Sequence, residues 1–463
     1  MQLTSLQMFC MITVLIVASL PSIVAATKVK SDLDYSLAGR NASSFMVAGT
    51  IVATIVGSAA TVGSAQMGFK VGISAIWFTV GCGLALIIMG NFFAKPLRNS
   101  HLTTISEFLV IKYGESAGPL SSVASTIGIF LSIVASMLTA VHLIAGAFNT
   151  DLFISGVIII FIVLSSVLLG GLSGSGITGL IKITLIVLTI CVAGVKAYLD
   201  LGGAAGINVL FPKEPWLDLI YGGPQQLLYN CISLIIGVVS TQSYVQAIFS
   251  AKDSASAVKG CFIAAAITIP IGIPAVIIGM ATYKSNPNIN SIDALPWYLL
   301  NNLPEWLGGV AIAVLILSSI WSISGLVLGC STLITRDIFK AVIGIKDTKK
   351  ILWFNRTSVL FITILAEIVV FKNINSYVLD WTYLSMALRG AGIFLPMTFI
   401  ILFKEFVPKK AGLLSMIAGI SVALTWKWFF PLAQDTLFPS LAFNLLFLVP
   451  GVLIGYYQKN KKN

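Results

Sequence analysis

Two apolar stretches of this 463-residue chain are interrupted by glycine and by hydroxyl side chains. The first is "IVATIVGSAATVGSAQMG", Ile51 to Gly68; the second is "CISLIIGVVSTQSYVQAIFSAKD", Cys231 to Asp253. Gly57 and Gly63 weaken the first as a helix, since glycine costs about 1 kcal/mol relative to alanine. A helix broken at membrane depth survives only beside a cavity or a site, because its freed backbone groups must be satisfied. Carbonyls at the end of a half-helix suit an alkali cation, and half-helix N-termini suit anionic groups. Ser58, Thr61 and Ser64 place hydroxyls beside the first break. Ser240, Thr241, Gln242, Ser243 and Gln246 do so on the inner half of the second. Small residues of this kind also serve close helix packing, and both readings stand at this point.

Ionisable groups inside apolar segments are costly there and are candidates for function by default. Arg389, in "YLSMALRGAGIFLPM", has a guanidinium able to hold a carboxylate bidentately, or to pair internally with Glu367. Glu367 is also a candidate proton-linked carboxylate. His142 reads as a hydrogen-bonded core histidine, and Lys427, between Trp426 and Trp428, as a snorkelling side chain.

The elements that carry these residues follow from composition. The chain is 57% hydrophobic and 10% charged, with a mean hydropathy of +0.98, whereas soluble domains carry about 25% charged residues. Apolar runs of membrane-spanning length recur throughout, giving thirteen spans: 7–26, 45–68, 73–95, 119–149, 152–171, 175–198, 226–250, 257–283, 306–334, 353–373, 375–402, 411–431 and 436–457. The net charge of +11 reflects topology rather than a nucleic-acid partner. Of the Lys and Arg residues, 21 fall on connections sharing a side with the C-terminus, Lys182 counted among them, and 6 on the opposite side. That asymmetry places the C-terminus in the cytoplasm and the N-terminus outside, in a cell membrane. The first apolar run has its basic residues, Lys28 and Lys30, after it rather than before it, so a retained helix is expected instead of a signal peptide.

Some chemistry is excluded. The six cysteines lie within spans without C-x-x-C spacing, and there are two histidines, so neither a disulfide frame nor a zinc site is indicated. No H-E-x-x-H motif occurs, and the chain reads as a transporter rather than an enzyme. No obligate protein partner is indicated; the partner is the bilayer.

Each interrupted span opens a group of five, 45–198 and 226–402, with one helix (7–26) before them and two (411–457) after. An odd count inverts the second group relative to the first. The expected fold is therefore an all-α integral membrane protein with the 5+5 inverted repeat of the LeuT type and about 13 transmembrane helices, forming a single transmembrane domain over 1–463.

Three segments then resemble the sodium:solute symporter family. "DYSLAGRNASSF" (Asp34–Phe45) is similar to the signature ahead of its first broken helix. "TQSYVQAIFSAKDSASAVKG" (Thr241–Gly260) is similar to the stretch following the second, with Ala247 where the family has arginine. "CSTLITRDIFK" (Cys330–Lys340) is similar to the end of the ninth span. The resemblance implies alternating-access symport of a small organic solute coupled to sodium. It gives the cation to carbonyls of Ser58 and Thr61 and to a ninth-span pattern falling on Ser318, Trp321 and Ser322. Trp321 cannot ligate sodium, because the indole nitrogen only donates. Ser319 would compensate, or the pattern shifts by three residues to Leu315, Ser318 and Ser319, or the site is degraded and the carrier is proton-coupled or uncoupled. The solute is expected between the two breaks, near Gly63, Gln66, Gln242, Ser243, Gln246 and Arg389.

Overall fold

The computed structural model describes residues 3–26, 40–170, 175–335, 348–403, 406–429 and 436–461. The first half of the Asp34–Phe45 segment and the Asp337–Lys340 end of the ninth-span motif lie outside them, as does the side chain of Lys427. All regular structure among the described residues is helical, apart from an isolated parallel bridge between Ala42 and Ala251.

A helix α1 (Ser5–Ala26) precedes the first interrupted segment, which divides into α2 (Ser44–Ile55) and α3 (Ser64–Val71). Then follow α4 (Trp77–Ile88), α5 (Ile105–Tyr113), α6 (Ala117–Phe148), α7 (Leu152–Gly170) and α8 (Ser175–Asp200). The second interrupted segment divides into α9 (Gly223–Val239) and α10 (Gln242–Ser250). It is followed by α11 (Ser254–Ser285), α12 (Glu305–Leu333), α13 (Thr348–Lys372), α14 (Val378–Leu402), α15 (Lys409–Phe429) and α16 (Leu437–Asn460). Eight helices among the described residues are long and apolar enough to cross a membrane, or nine if α9 and α10 form one bent span.

Both interruptions are real, but their geometries differ. α2 stops at Ile55, and Val56 leaves helical geometry at φ −82° and ψ 66°. The chain re-enters through a wide π turn, Ala59–Gly63, before α3. Gly57 is where this break needs glycine: a Cβ there would come 2.7 Å from Ser322 Oγ on α12. The second break falls at Ser240 and Thr241, the latter extended at φ −88° and ψ 118°, and bends the segment by 46°. Its glycine, Gly237, is not at the bend but inside α9, against Met386 of α14.

The breaks sit in the middle of the bundle. α6 is enclosed by α12, α13 and α14; α14 also packs on α9. α2 lies against α8 and α11, and α1 lines α12. The segments resembling family signatures also meet: Ala42 N–H donates to Ser250 O (3.0 Å) and Lys252 N–H donates to Ala42 O (3.0 Å). Arg98 reinforces the junction by donating to the carbonyls of Ala251 and Lys252. The residue stretch ahead of one broken helix is thus tied to the end of the other.

A candidate solute site between two broken helices

A cavity of about 50 Å³ lies between the breaks. It is lined from α2 and the following turn by Thr54, Gly57 and Ser58, and from α4 by Phe78 and Cys82. The second break adds Thr241, Ser243 and Tyr244; Ser132 comes from α6, Ser322 from α12, and Thr382, Met386 and Arg389 from α14. This volume suits a few waters, since one needs roughly 10–15 Å³, and is well below the ~300 Å³ at which ligand pockets begin. As described, the cavity has room for water rather than for a solute.

Arg389 dominates the electrostatics. It is 2% exposed, and its side chain crosses α6 at Gly128, where a Cβ would meet Arg389 Cγ at an impossible distance. Its Nε donates to Ser385 O (3.3 Å), and Nη1 to Thr241 Oγ1 (2.8 Å). Nη2 donates to Ser132 Oγ (3.1 Å) and Ser385 Oγ (2.8 Å). These use four of the five N–H groups of a guanidinium, leaving one Nη1 proton for another acceptor. The internal pair with Glu367 does not form: both carboxyl oxygens of Glu367 lack a hydrogen-bond partner among the described residues, and they lie against Gly156 of α7. Among the described residues, no Asp or Glu lines the cavity.

The other expected solute contacts separate into two sets. Ser243 lines the cavity with a buried hydroxyl that has no partner among the described residues. Gln66 lies beyond the first break and does not line the cavity: its Oε1 accepts from Val378 N–H (3.0 Å) and its Nε2 donates to Ser376 O (3.4 Å), tying α3 to the start of α14. His142 adds a second tie there through Nε2 with Ile374 O (3.2 Å) and Nδ1 with Asp293 Oδ1 (3.4 Å). Gln242 is engaged elsewhere, accepting from Ile105 N–H (2.9 Å) and donating to Thr103 O (3.4 Å) at the start of α5. Gly63 packs on Leu379 and Val378, and Gln246 is half-buried; neither lines the cavity.

The expected cation residues cluster where α12 passes the first break. Ser58 Oγ and Ser319 Oγ are 3.2 Å apart, and Ser319 Oγ also donates to Leu315 O (3.0 Å). Thr61 Oγ1 donates to Gly57 O (2.8 Å), and the buried Ser318 hydroxyl has no partner among the described residues. Ser322 Oγ is already taken: Lys182 Nζ donates to it (3.1 Å) and to Ala53 O (2.8 Å). Lys182 therefore does not belong with the connecting-loop charges; it is buried within α8 at 4% exposure. The available signal was its place in "GLIKITLIVL", well inside an apolar run that begins at Ser175. Thr54, Phe78, Cys82, Tyr244, Thr382 and Met386 also line the cavity without having been singled out, because apolar and single-hydroxyl side chains in a membrane helix look alike in any role.

An all-helical architecture among the described residues, with two mid-bundle breaks flanking a cavity, is that of LeuT-like transporters. A substrate-bound, outward-open Na+-coupled sialic acid symporter shares the fold with a TM-score of 0.78 at 16% identity, each chain covered to 98%. A nucleobase-cation-symport-1 family transporter in a closed conformation reaches 0.55 at 12% identity, with 92% of this chain and 95% of that one covered. The sodium:solute symporter family matches residues 35–419, and the chain belongs to it. Relatives include the high-affinity choline transporter 1 of Drosophila melanogaster, 25% identical over 371 residues, which is 73% of this chain. The chain spans 57% of that relative's length. The sodium/glucose cotransporter of Vibrio parahaemolyticus is 24% identical, covering 90% of this chain and 83% of its own. The sodium/proline symporter of Staphylococcus aureus is 21% identical, covering 91% and 85%. These are transporters, not enzymes, and this chain is a multi-pass membrane protein of their family.

Proposed function

We propose that the chain is a secondary active carrier that moves a small carboxylate-bearing solute by alternating access. The observation that carries the solute class is Arg389: a buried guanidinium facing a cavity that no described carboxylate lines, with one N–H left over. A carboxylate entering there gains a charge-assisted hydrogen bond where water is excluded. Proline and sialic acid, named for two of the similar proteins, both carry one. Choline does not, and its quaternary ammonium would meet a like charge. Thr241, Ser243 and Ser132 offer hydroxyls to the rest of the solute, and Phe78 and Tyr244 offer apolar faces. Because the cavity is too small for such a solute as it stands, binding requires it to widen.

The scaffold we propose is thirteen spans with the N-terminus outside and the C-terminus in the cytoplasm of a cell membrane. A described helix overlaps each of the thirteen apolar stretches. The inverted groups would run over 45–198 and 226–402, each opening with a broken span. Without Lys182, the charge asymmetry between the two sides is still 20 to 6.

Family membership implies sodium as the driving ion, held by Ser58, Thr61, Ser318, Ser319 and Ser322. Ser58, Thr61, Ser318 and Ser319 cluster at the break, but the Ser322 end of the set does not fit it. The Ser322 hydroxyl and a carbonyl at the first break receive a lysine ammonium, and Trp321 supplies no oxygen. The direct test of the carrier reading is a thermal-shift screen of purified protein with L-proline, sialic acid, D-glucose and choline, followed by uptake into proteoliposomes. Carboxylates are expected to stabilise and to be taken up; a response to choline alone would sink the proposed solute class.

A further inference from the structure

The first break is already met by a lysine side chain of the protein itself. α2 stops at Ile55, so carbonyls of its last turn lose the donors that a continuing helix supplies, and they sit at the negative end of the helix dipole. Ala53 O is one of them, and Lys182 Nζ donates to it at 2.8 Å. The second acceptor, Ser322 Oγ at 3.1 Å, comes from α12, so the ammonium joins the broken helix to the helix passing behind it. A carbonyl at a half-helix end and a serine hydroxyl are the hard oxygen donors that an alkali cation uses.

A sodium ion bonded to those two oxygens would occupy the volume of the ammonium, and the two like charges would repel at contact distance. No carboxylate pairs with Lys182 among the described residues; its charge is answered by the oxygens and by the helix end. A buried lysine held in this way is costly, and a packing role would be met by Leu or Met at lower cost. The lysine takes Ser322, one of the residues to which the family resemblance gives the ion. It reaches the broken helix at Ala53 O, ahead of the Ser58 and Thr61 carbonyls in that assignment. Trp321 stands beside Ser322 where the family has a hydroxyl. Two departures thus fall on one spot.

We propose that the Lys182 ammonium replaces the coupling sodium at the first break, so that this carrier holds its broken helix with a tethered cation and needs no sodium. A tethered ammonium does not leave with the solute, so no sodium flux accompanies transport. The proposal rests on the carrier reading above, but its test reads ion binding rather than solute movement, so the two fail separately.

The test is thermal unfolding of the detergent-purified chain, titrated with sodium chloride against equal N-methylglucamine chloride. The wild-type midpoint is expected to be the same in both salts. Lys182→Met removes the charge, keeps an aliphatic stem, and frees Ala53 O and Ser322 Oγ; it is expected to gain a sodium-specific rise of about 2–3 °C at ~100 times the dissociation constant. Ser322→Ala added to that variant is expected to abolish the gain. Lys182→Ala serves the same purpose should Lys182→Met not fold. A saturable sodium-specific rise in the wild type overturns the proposal whatever the variants do. So does the absence of any gain in a folded lysine variant, because the freed oxygens would then not form a cation site.

Discussion

Replacing Arg389 by methionine separates its proposed role from a structural one. Methionine replaces the apolar stem and carries no charge. Each hydroxyl that Arg389 touches keeps another partner. Ser385 Oγ donates to Gly128 O, Ser132 Oγ stays 2.7 Å from Ser385 Oγ, and Thr241 Oγ1 donates to Gly237 O at 2.6 Å. No buried hydroxyl is orphaned, so the usual penalty of about 1–3 kcal/mol for each unsatisfied group is avoided. Removal of a buried charge without a carboxylate partner also relieves its desolvation, an effect of several kcal/mol that offsets the lost donors. Stability is therefore expected to change by no more than about 2 kcal/mol, within the ordinary range for a point substitution. Carboxylate binding is another matter. Truncating one partner of a buried charge pair costs about 2–5 kcal/mol, or roughly 30-fold to several thousand-fold in affinity. Arg389→Lys keeps the charge but lacks the fork, so an intermediate loss is expected. The assay is proteoliposome uptake of the carboxylate identified by thermal shift, with the melting midpoint measured on the same preparation. Wild-type uptake by Arg389→Met refutes the reasoning, as would a collapse in stability with no loss of affinity in the folded fraction.

Four further outcomes are expected. Gly57→Ala drives a methyl against Ser322 Oγ; overpacking of this kind costs about 1–3 kcal/mol, so a lowered melting midpoint and slowed uptake should appear together. Gly128→Ala pushes on the Arg389 stem and should weaken carboxylate binding at nearly unchanged affinity for D-glucose or choline, if either binds at all. Gln66→Ala removes the tie to Val378 and Ser376; with the other five cysteines changed to serine, Cys82 in the cavity wall should react faster with a membrane-impermeant thiol reagent. Asp253 lies outside the spans and caps α11, accepting from Ser256 N–H at 2.6 Å; that bond, with the Ser256 hydroxyl, holds its carboxylate below the usual range. Its stabilising contribution is thus present above the unfolded-state pKa of about 3.9 and is lost as pH falls through the lower folded value. Melts taken downward from pH 5 should show this decline in the wild type and a flatter profile in Asp253→Asn.

How much of this was legible in the sequence depends on which physical signal each feature left. The helices were, because twenty apolar residues in a row have few alternatives in a bilayer. Both breaks were visible as polar interruptions, yet their exact residues were not. Gly57 marks the first because α12 comes too close for any side chain, whereas Gly237 marks a helix contact and the second bend falls later, at Ser240 and Thr241. Arg389 was recognisable as an intramembrane charge, and its position beside the cavity follows from the fold. Gln66 and Gln242 look equally available in one dimension, but three-dimensional packing commits both to backbone groups. Lys182 was misplaced for a simple reason: counting charges by connection gave it to the preceding loop, although its place inside the apolar run from Ser175 argued for a buried position; packing then shows its partner, Ala53 O.

Lys182 and Arg389 together constrain the transport cycle more than either does alone. Both are buried cations beside the same breaks, and among the described residues neither has a carboxylate partner. Ser322 connects them spatially, being the hydroxyl that holds Lys182 and part of the cavity wall that Arg389 faces. A sodium ion entering this region would add a third positive charge at low dielectric, where like charges repel most strongly. A carboxylate solute would instead bring a negative charge to a cavity that no Asp or Glu lines among the described residues. Its arrival changes the balance of the cavity from repulsion to attraction, and closure of the first broken helix onto α12 becomes favourable when the anion is in place. On this argument solute charge does the organising work that a co-transported cation does in a sodium symporter. Amide analogues of a carried carboxylate, alike in shape but lacking the charge, should then fail to stabilise the protein in any salt; an amide that stabilises it as well as the acid would show that charge is not what closes the site.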